Sequence, residues 1–411
     1  MQELLDQFKE IQNNFLDYID DESNEEDKFQ NLKALLDNFQ LRNDSQKLKA
    51  FLYLILKISN NHHRNSTFFQ KIEQLLLDYK NDIMKFYSNS SIFNIFKSNK
   101  RLLLFLLNEK MITFDKYIFN VLITPKYYFE NYLQYFAPEI KPFLADKSNI
   151  NEQNKKFFDE NISIEEITEE LPENFEENRR IGENEDFICR LIQKDSIKDF
   201  IVLVNQKNID LNIPIFESIY ETNQFLSKIF GNANILDNKH LHGNKITVSL
   251  IEYAAFFGSI QIFNYLKNCD IELTPSLWLY AIHSNSPEMI HKLEELKIEQ
   301  PEIFLGFRAV PTINSDRSGS IFLCLNESIK CHHNAITNYF LNNILPNDSI
   351  ILPENLVRFL KYYNFEFFQN DFINQSLFFY YCKYDYVMFV NFLLMNEDID
   401  LNKIQILNKC F

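Results

Sequence analysis

The stretch Ser249-Leu250-Ile251-Glu252-Tyr253-Ala254-Ala255-Phe256-Phe257-Gly258, continued by SIQIFNYLKNCDIEL to Leu273, decides how the chain is read. Its first half is a short apolar run, its middle a polar break after Gly258, and its second half sets Ile262, Phe263 and Leu266 on one helical face. The pattern predicts two short helices joined by a tight turn, with Gly258 supplying the left-handed residue between them. Three further stretches align with it with at most a one-residue gap. They are DFICRLIQKDSIKDFIVLVNQKNIDLN from Asp186, SLWLYAIHSNSPEMIHKLEELKI from Ser276 and SLFFYYCKYDYVMFVNFLLMNEDIDLN from Ser376. A weaker fifth, ESIKCHHNAITNYFLNNIL, begins at Glu327. Two short helices cannot bury both their apolar faces alone, so the repeat predicts helix pairs stacked as a solenoid.

Composition points the same way. In 411 residues there are 41 Phe and 20 Tyr but only 6 Gly, and the glycines are never closer than 12 residues apart. Phosphate-binding loops need clustered glycines where backbone approaches phosphate, so nucleotide folds of that kind are excluded. A net charge of -16 argues against nucleic acid as a partner, because backbone binding requires Lys and Arg to displace counterions. The longest apolar runs, Leu102 to Leu107 and Phe51 to Leu56, fall far short of the roughly 18 residues of a membrane span. The opening MQELLDQFKEIQ lacks the basic-then-apolar pattern of a signal peptide, and the six cysteines have no paired spacing. The expectation is an intracellular, cytoplasmic chain with reduced, buried cysteines.

The charge is unevenly spread. Residues 1–145 carry 19 acidic and 18 basic side chains, whereas residues 146–185 carry 13 acidic and 5 basic. This predicts three regions: a helical domain over 1–145, a partly helical acidic linker over 146–185 with a capping box at Ser163 and Glu166, and the repeat domain over 186–411. In the first region Leu4, Phe8, Ile11, Phe15 and Ile19 share a helical face, and a second helix is expected from about Glu26 to Phe39. Thr67 with Gln70 reads as a capping box for a helix carrying Ile72 through Phe86. The first region is expected to be an antiparallel array of roughly seven helices.

The Ser249 stretch resembles an ankyrin repeat. It stands where that family has threonine-proline-leucine-histidine, a variable residue, two alanines, two variable residues and glycine. Glu252 takes the place of the family's histidine, only this copy keeps the glycine, and the 27-residue step from Ser249 to Ser276 is too short for the usual hairpin between units. SLIEYAAFFGSIQIFNYL, preceded by GENEDFICRLIQKDSIKDF from Gly182, is similar to a protist-expanded, ankyrin-related domain of unknown function (number 3447). The likeness covers about 186–411, with the N-terminal helices as its usual companion. It implies partner contact through the residues between the paired alanines and the turn: by position Phe256 and Phe257, His283 and Ser284, Lys383 and Tyr384. It implies no catalytic activity.

Other chemistry was weighed against simpler readings. Cys331-His332-His333 is the densest group of metal-capable residues, but no second pair stands nearby in sequence, so it reads as a repeat helix with surface histidines. His62-His63 and His240-Leu241-His242 read as polar turns, and Cys269 and Cys382 lack the local glycine of an activated thiol. The aromatics Phe365, Phe367, Phe368, Phe378, Phe379, Tyr380 and Tyr381 lie among acidic rather than basic neighbours, which suits a core and not base stacking. The acidic linker reads as a solvated spacer.

The expectation is therefore an all-α chain, an N-terminal antiparallel helical array followed by an ankyrin-like helix-pair solenoid. It would act as a non-enzymatic scaffold for other proteins, with no catalytic or metal residues, no cofactor, no small-molecule substrate and no membrane insertion. The competing reading is an adaptor subunit of, or an enzyme within, a larger complex such as a ligase or transferase, acting through the N-terminal helices.

Overall fold

The structure, a computed structural model, describes residues 2–21, 25–129, 131–162, 170–223, 248–299, 318–343, 353–368 and 375–396, with Ser23, Ile167, Phe225 and Leu226 besides. The described residues are helical apart from loops and one two-stranded antiparallel sheet, which pairs Pro214 with Ser249 and Ile215 with Val248. None of the described helices is long and apolar enough to cross a membrane.

Two compact units account for the chain: Met1–Phe86 together with Ile321–Phe411, and Tyr87–Ser320. In the first, the helix Gln2–Asp20 buries Phe8, Ile11, Phe15 and Ile19 as its periodicity predicts, and packs on Glu25–Asn38 and Phe68–Asp78. Its buried Gln12 reaches the C-terminal part of the chain. Its side-chain amide donates to Asn364 Oδ1 at 3.2 Å and its carbonyl oxygen accepts from Phe365 N at 2.7 Å, while Phe8 stacks on Phe365 at 4.8 Å. The helix Ser45–Asn61 packs against Val387–Asn396. Before Leu144 the described residues form eleven helices, more than the seven expected, because short turns divide the apolar runs. One such break, at Tyr79, separates Phe68–Asp78 from Lys80–Phe86. Thr67 precedes the first of these but makes no cap bond; its hydroxyl donates to Asn65 Oδ1 instead.

In the second unit the acidic region is folded in. The helices Glu152–Asn161 and Phe175–Ile181 bury Phe158, Phe175 and Arg179, and neither boundary between the compact units falls within 146–185. Arg179 explains the docking. Its guanidinium donates to Glu139 at 2.9 Å, to Glu176 at 2.6 Å and to Tyr135 O at 3.0 Å, against the Phe175 ring. The spacer reading misses this because a net charge count does not register one buried cation gathering two carboxylates. The proposed capping box at Ser163 and Glu166 lies outside the described residues.

The five repeat stretches all form helix pairs: Phe187–Gln193 with Ile197–Lys207, Leu250–Phe257 with Ile260–Asn268, Leu277–His283 with Pro287–Glu295, Ser318–Cys331 with Asn334–Asn343, and Phe378–Lys383 with Val387–Asn396. Every turn between them has a residue in the left-handed region: Asp195 (φ 48°), Gly258 (68°), Asn285 (51°), His332 (59°) and Asp385 (63°). In four of the five, the next N–H bonds to the carbonyl five residues back: Ser196 to Leu191 O, Ser259 to Ala254 O, His333 to Ser328 O and Tyr386 to Tyr381 O, at 2.9–3.1 Å. That is the Schellman closure, and Asp, Asn and His tolerate it better than bulkier residues do. The turn glycine is thus missing from four copies while the turn is retained.

Within the second unit consecutive pairs pack in order. Phe187–Gln193 lies on Leu250–Phe257, which lies on Leu277–His283, and Ile197–Lys207 lies on Ile260–Asn268. Ala254 and Ala255 are fully buried at the centre of this contact, where a larger side chain would hold the helices apart. Glu252 closes a capping box with Ser249 and also accepts a hydrogen bond from Ser276 at the start of the next pair. Asp195 reaches from its own turn to accept the N–H groups of Gln261 and Ile262 of the neighbouring pair, both at 3.0 Å.

Two stability changes follow, both read by urea unfolding. Asp195→Ala should destabilise the fold by about 1–2 kcal/mol through lost capping, and Asp195→Gly by less, since glycine relaxes the left-handed backbone. Arg179→Ala should cost about 2–4 kcal/mol, because it removes the buried donor that Tyr135 O and the largely buried Glu139 carboxylate share.

Candidate functional site

The six residues singled out by the repeat resemblance have different surroundings. Phe256 and His283 are buried, stacked on one another with ring centroids 4.9 Å apart, and Phe225 packs against both. Phe257 is half-buried, edge-on to Phe256 at 5.0 Å, and Ser284 is half-buried with its hydroxyl donating to Ala281 O. Lys383 is exposed above the rings of Phe379 and Tyr384, and Tyr384 is half-buried. The aromatics Phe365, Phe368, Phe378 and Tyr381 are buried, as a core role requires.

The exposed apolar surface lies elsewhere in the second unit. Phe187 is 58% exposed and Phe216 70% exposed. Phe187 and Phe216 flank a groove whose floor includes Ile188, Leu203, Ile213 and Ile215. Asp186 and Lys207 stand at the same groove, so opposite charges accompany an apolar trough. Phe187 stands in the apolar run of the first helix of its pair. Its exposure is set by tertiary packing, which the period alone does not fix.

The first unit holds a different feature. Here His332 and His333 are buried rather than on the surface, because the left-handed turn at His332 folds both inward. His62 and His63 follow the end of the helix Ser45–Asn61, and His62 is also buried. One ring nitrogen of each of His62, His63 and His333 lies within 4.8 Å of the others. His63 Nδ1 is 3.3 Å from His333 Nε2, and the His62 ring lies 4.7 Å from that of His333. His62 Nδ1 is 2.6 Å from Cys331 O, and since a carbonyl only accepts, this nitrogen carries the hydrogen. His62 Nε2 is 2.8 Å from Asp20 Oδ1, and His63 Nε2 is 3.5 Å from the same oxygen.

Electrostatics sharpens the cluster. Burial works to raise the Asp20 carboxyl, but His62, His63 and Lys71 outweigh it and hold Asp20 below its usual range. Burial, helped by His62, pushes the His63 imidazole down to about 4, and burial pushes His332 down to about 3. Near neutral pH, His63 and His332 are therefore uncharged and Asp20 is ionised. The cluster escapes a reading of local spacing because its parts come from positions about 270 residues apart. The one signal in the sequence is that two His-His dipeptides hold four of the eight histidines. Of the other residues weighed, Cys269 and Cys382 are exposed, and His240 and His242 lie outside the described residues.

Compared with protein-family models, with curated proteins and with solved structures, the chain finds no match.

The packing of Phe256 generates a direct test. Phe256→Ala should destabilise the fold by about 3–5 kcal/mol, as for a core aromatic, and Phe257→Ala by about 1 kcal/mol, both read by chemical denaturation.

Proposed function

We propose that this chain is a non-enzymatic protein-binding scaffold whose helix pairs stack as a divergent, ankyrin-like repeat. The observation that carries the reading is the pair of exposed phenyl rings, Phe187 and Phe216, at the rim of an apolar groove. Exposed apolar surface of this kind, bordered by charge, is what protein-binding faces present, and aromatic anchors dominate their energetics. The occupant is an apolar segment of another protein, with charged groups placed to meet Asp186 and Lys207. The retained left-handed turns and the ordered packing of three consecutive pairs support the repeat reading. The binding surface on this reading centres on Phe187 and Phe216, with Phe256 and His283 serving as the packing beneath.

The test compares the whole chain with a Phe187→Ser, Phe216→Ser double variant in affinity capture. Both positions are exposed, so the variant should unfold within about 0.5 kcal/mol of the parent while losing the proteins the parent retains. Identical retained sets from the two would overturn the proposal.

A further inference from the structure

The histidine cluster of the first unit gathers three imidazoles into the space of one ion's ligand set. His62 Nδ1 lies against Cys331 O at 2.6 Å, and its Nε2 stands 2.8 Å from Asp20 Oδ1. Next to them, His63 and His333 bring two more ring nitrogens to 3.3 Å of each other. In a tetrahedral site with metal–nitrogen bonds of about 2.0–2.1 Å, neighbouring ligand atoms stand roughly 3.3 Å apart. The His63–His333 separation matches that value, and one ring nitrogen of each of the three imidazoles lies within 4.8 Å of the others.

We infer that His62, His63 and His333, with Asp20 as an outer carboxylate against the His62 and His63 rings, form a binding site for a divalent first-row transition ion, Zn²⁺ foremost. The donor set of three imidazoles suits that ion, with a fourth position left for solvent. The second shell has the form such sites use: the hydrogen bond from His62 Nδ1 to a backbone carbonyl selects the tautomer and turns Nε2 towards the ion. Three elements converge there: the end of Gln2–Asp20, the end of Ser45–Asn61 and the start of Asn334–Asn343. The bound ion therefore acts as a clasp between the first 63 residues and the His332 turn. Its binding stabilises this unit by mass action.

The experiment uses the full chain, stripped with a chelator and titrated with Co²⁺ and Zn²⁺. Co²⁺ should saturate at one equivalent per chain with visible absorption bands of a low-coordinate site, Zn²⁺ should displace it, and either ion should raise the thermal midpoint. His63→Ala and His333→Ala should each abolish saturable binding, and Asp20→Asn should weaken it about tenfold or more. His291→Ala, at an exposed position, should bind as the parent does. Because His333 is buried, His333→Gln, with circular dichroism to show that it folds, keeps the test decisive if the alanine variant does not. The inference is overturned if the stripped parent binds neither ion at one equivalent, or if the folded His63 and His333 variants bind as tightly as the parent.

Discussion

A single backbone constraint governs the repeated part of this chain: the first helix of each pair must end on a residue that accepts a positive φ. The residue after it then folds its N–H back onto the helix, and the second helix starts at a fixed angle. Only one of the five turns uses glycine. The others use Asp, Asn or His, and these polar residues gain work beyond the turn. Asp195 caps the next pair, and the His332 turn carries His333 into the imidazole cluster.

Contacts between repeat neighbours rest on small residues and shared caps. Ala254 and Ala255 let helices approach, and the carboxylate of Glu252 bonds both to its own helix start and to Ser276. The carboxylate of Glu252 is thus the polar link between one pair and the next. Around it the aromatics supply bulk: Phe225, Phe256, Tyr280 and His283 form one ring cluster under the second pair's turn.

The helix pairs were legible in the sequence because each depends on local periodicity and a polar break, and all five form at the expected places. Phe256 and His283 were placed on a partner-facing position by likeness to the family, but which side of a short helix is covered depends on its neighbours. The histidine cluster was illegible for a related reason. Spacing rules for metal ligands assume nearby pairs, whereas here the fold brings together residues 62, 63 and 333. The acidic region misled in the opposite direction, since Arg179 and Phe175 anchor it despite its charge.

The first unit is assembled from two separated parts of one chain, joined by contacts such as Gln12 to Asn364 and Phe8 to Phe365. On the ribosome that arrangement imposes a delay. Residues 1–86 emerge first, yet the rings and amides that cover them are not made until Tyr87–Ser320 has been translated, roughly 10–50 s later at about 5–20 residues per second. Throughout that interval the faces of Phe8 and Gln12 await partners that do not yet exist, and the nascent chain depends on chaperones or on slow collapse to keep them from wrong ones.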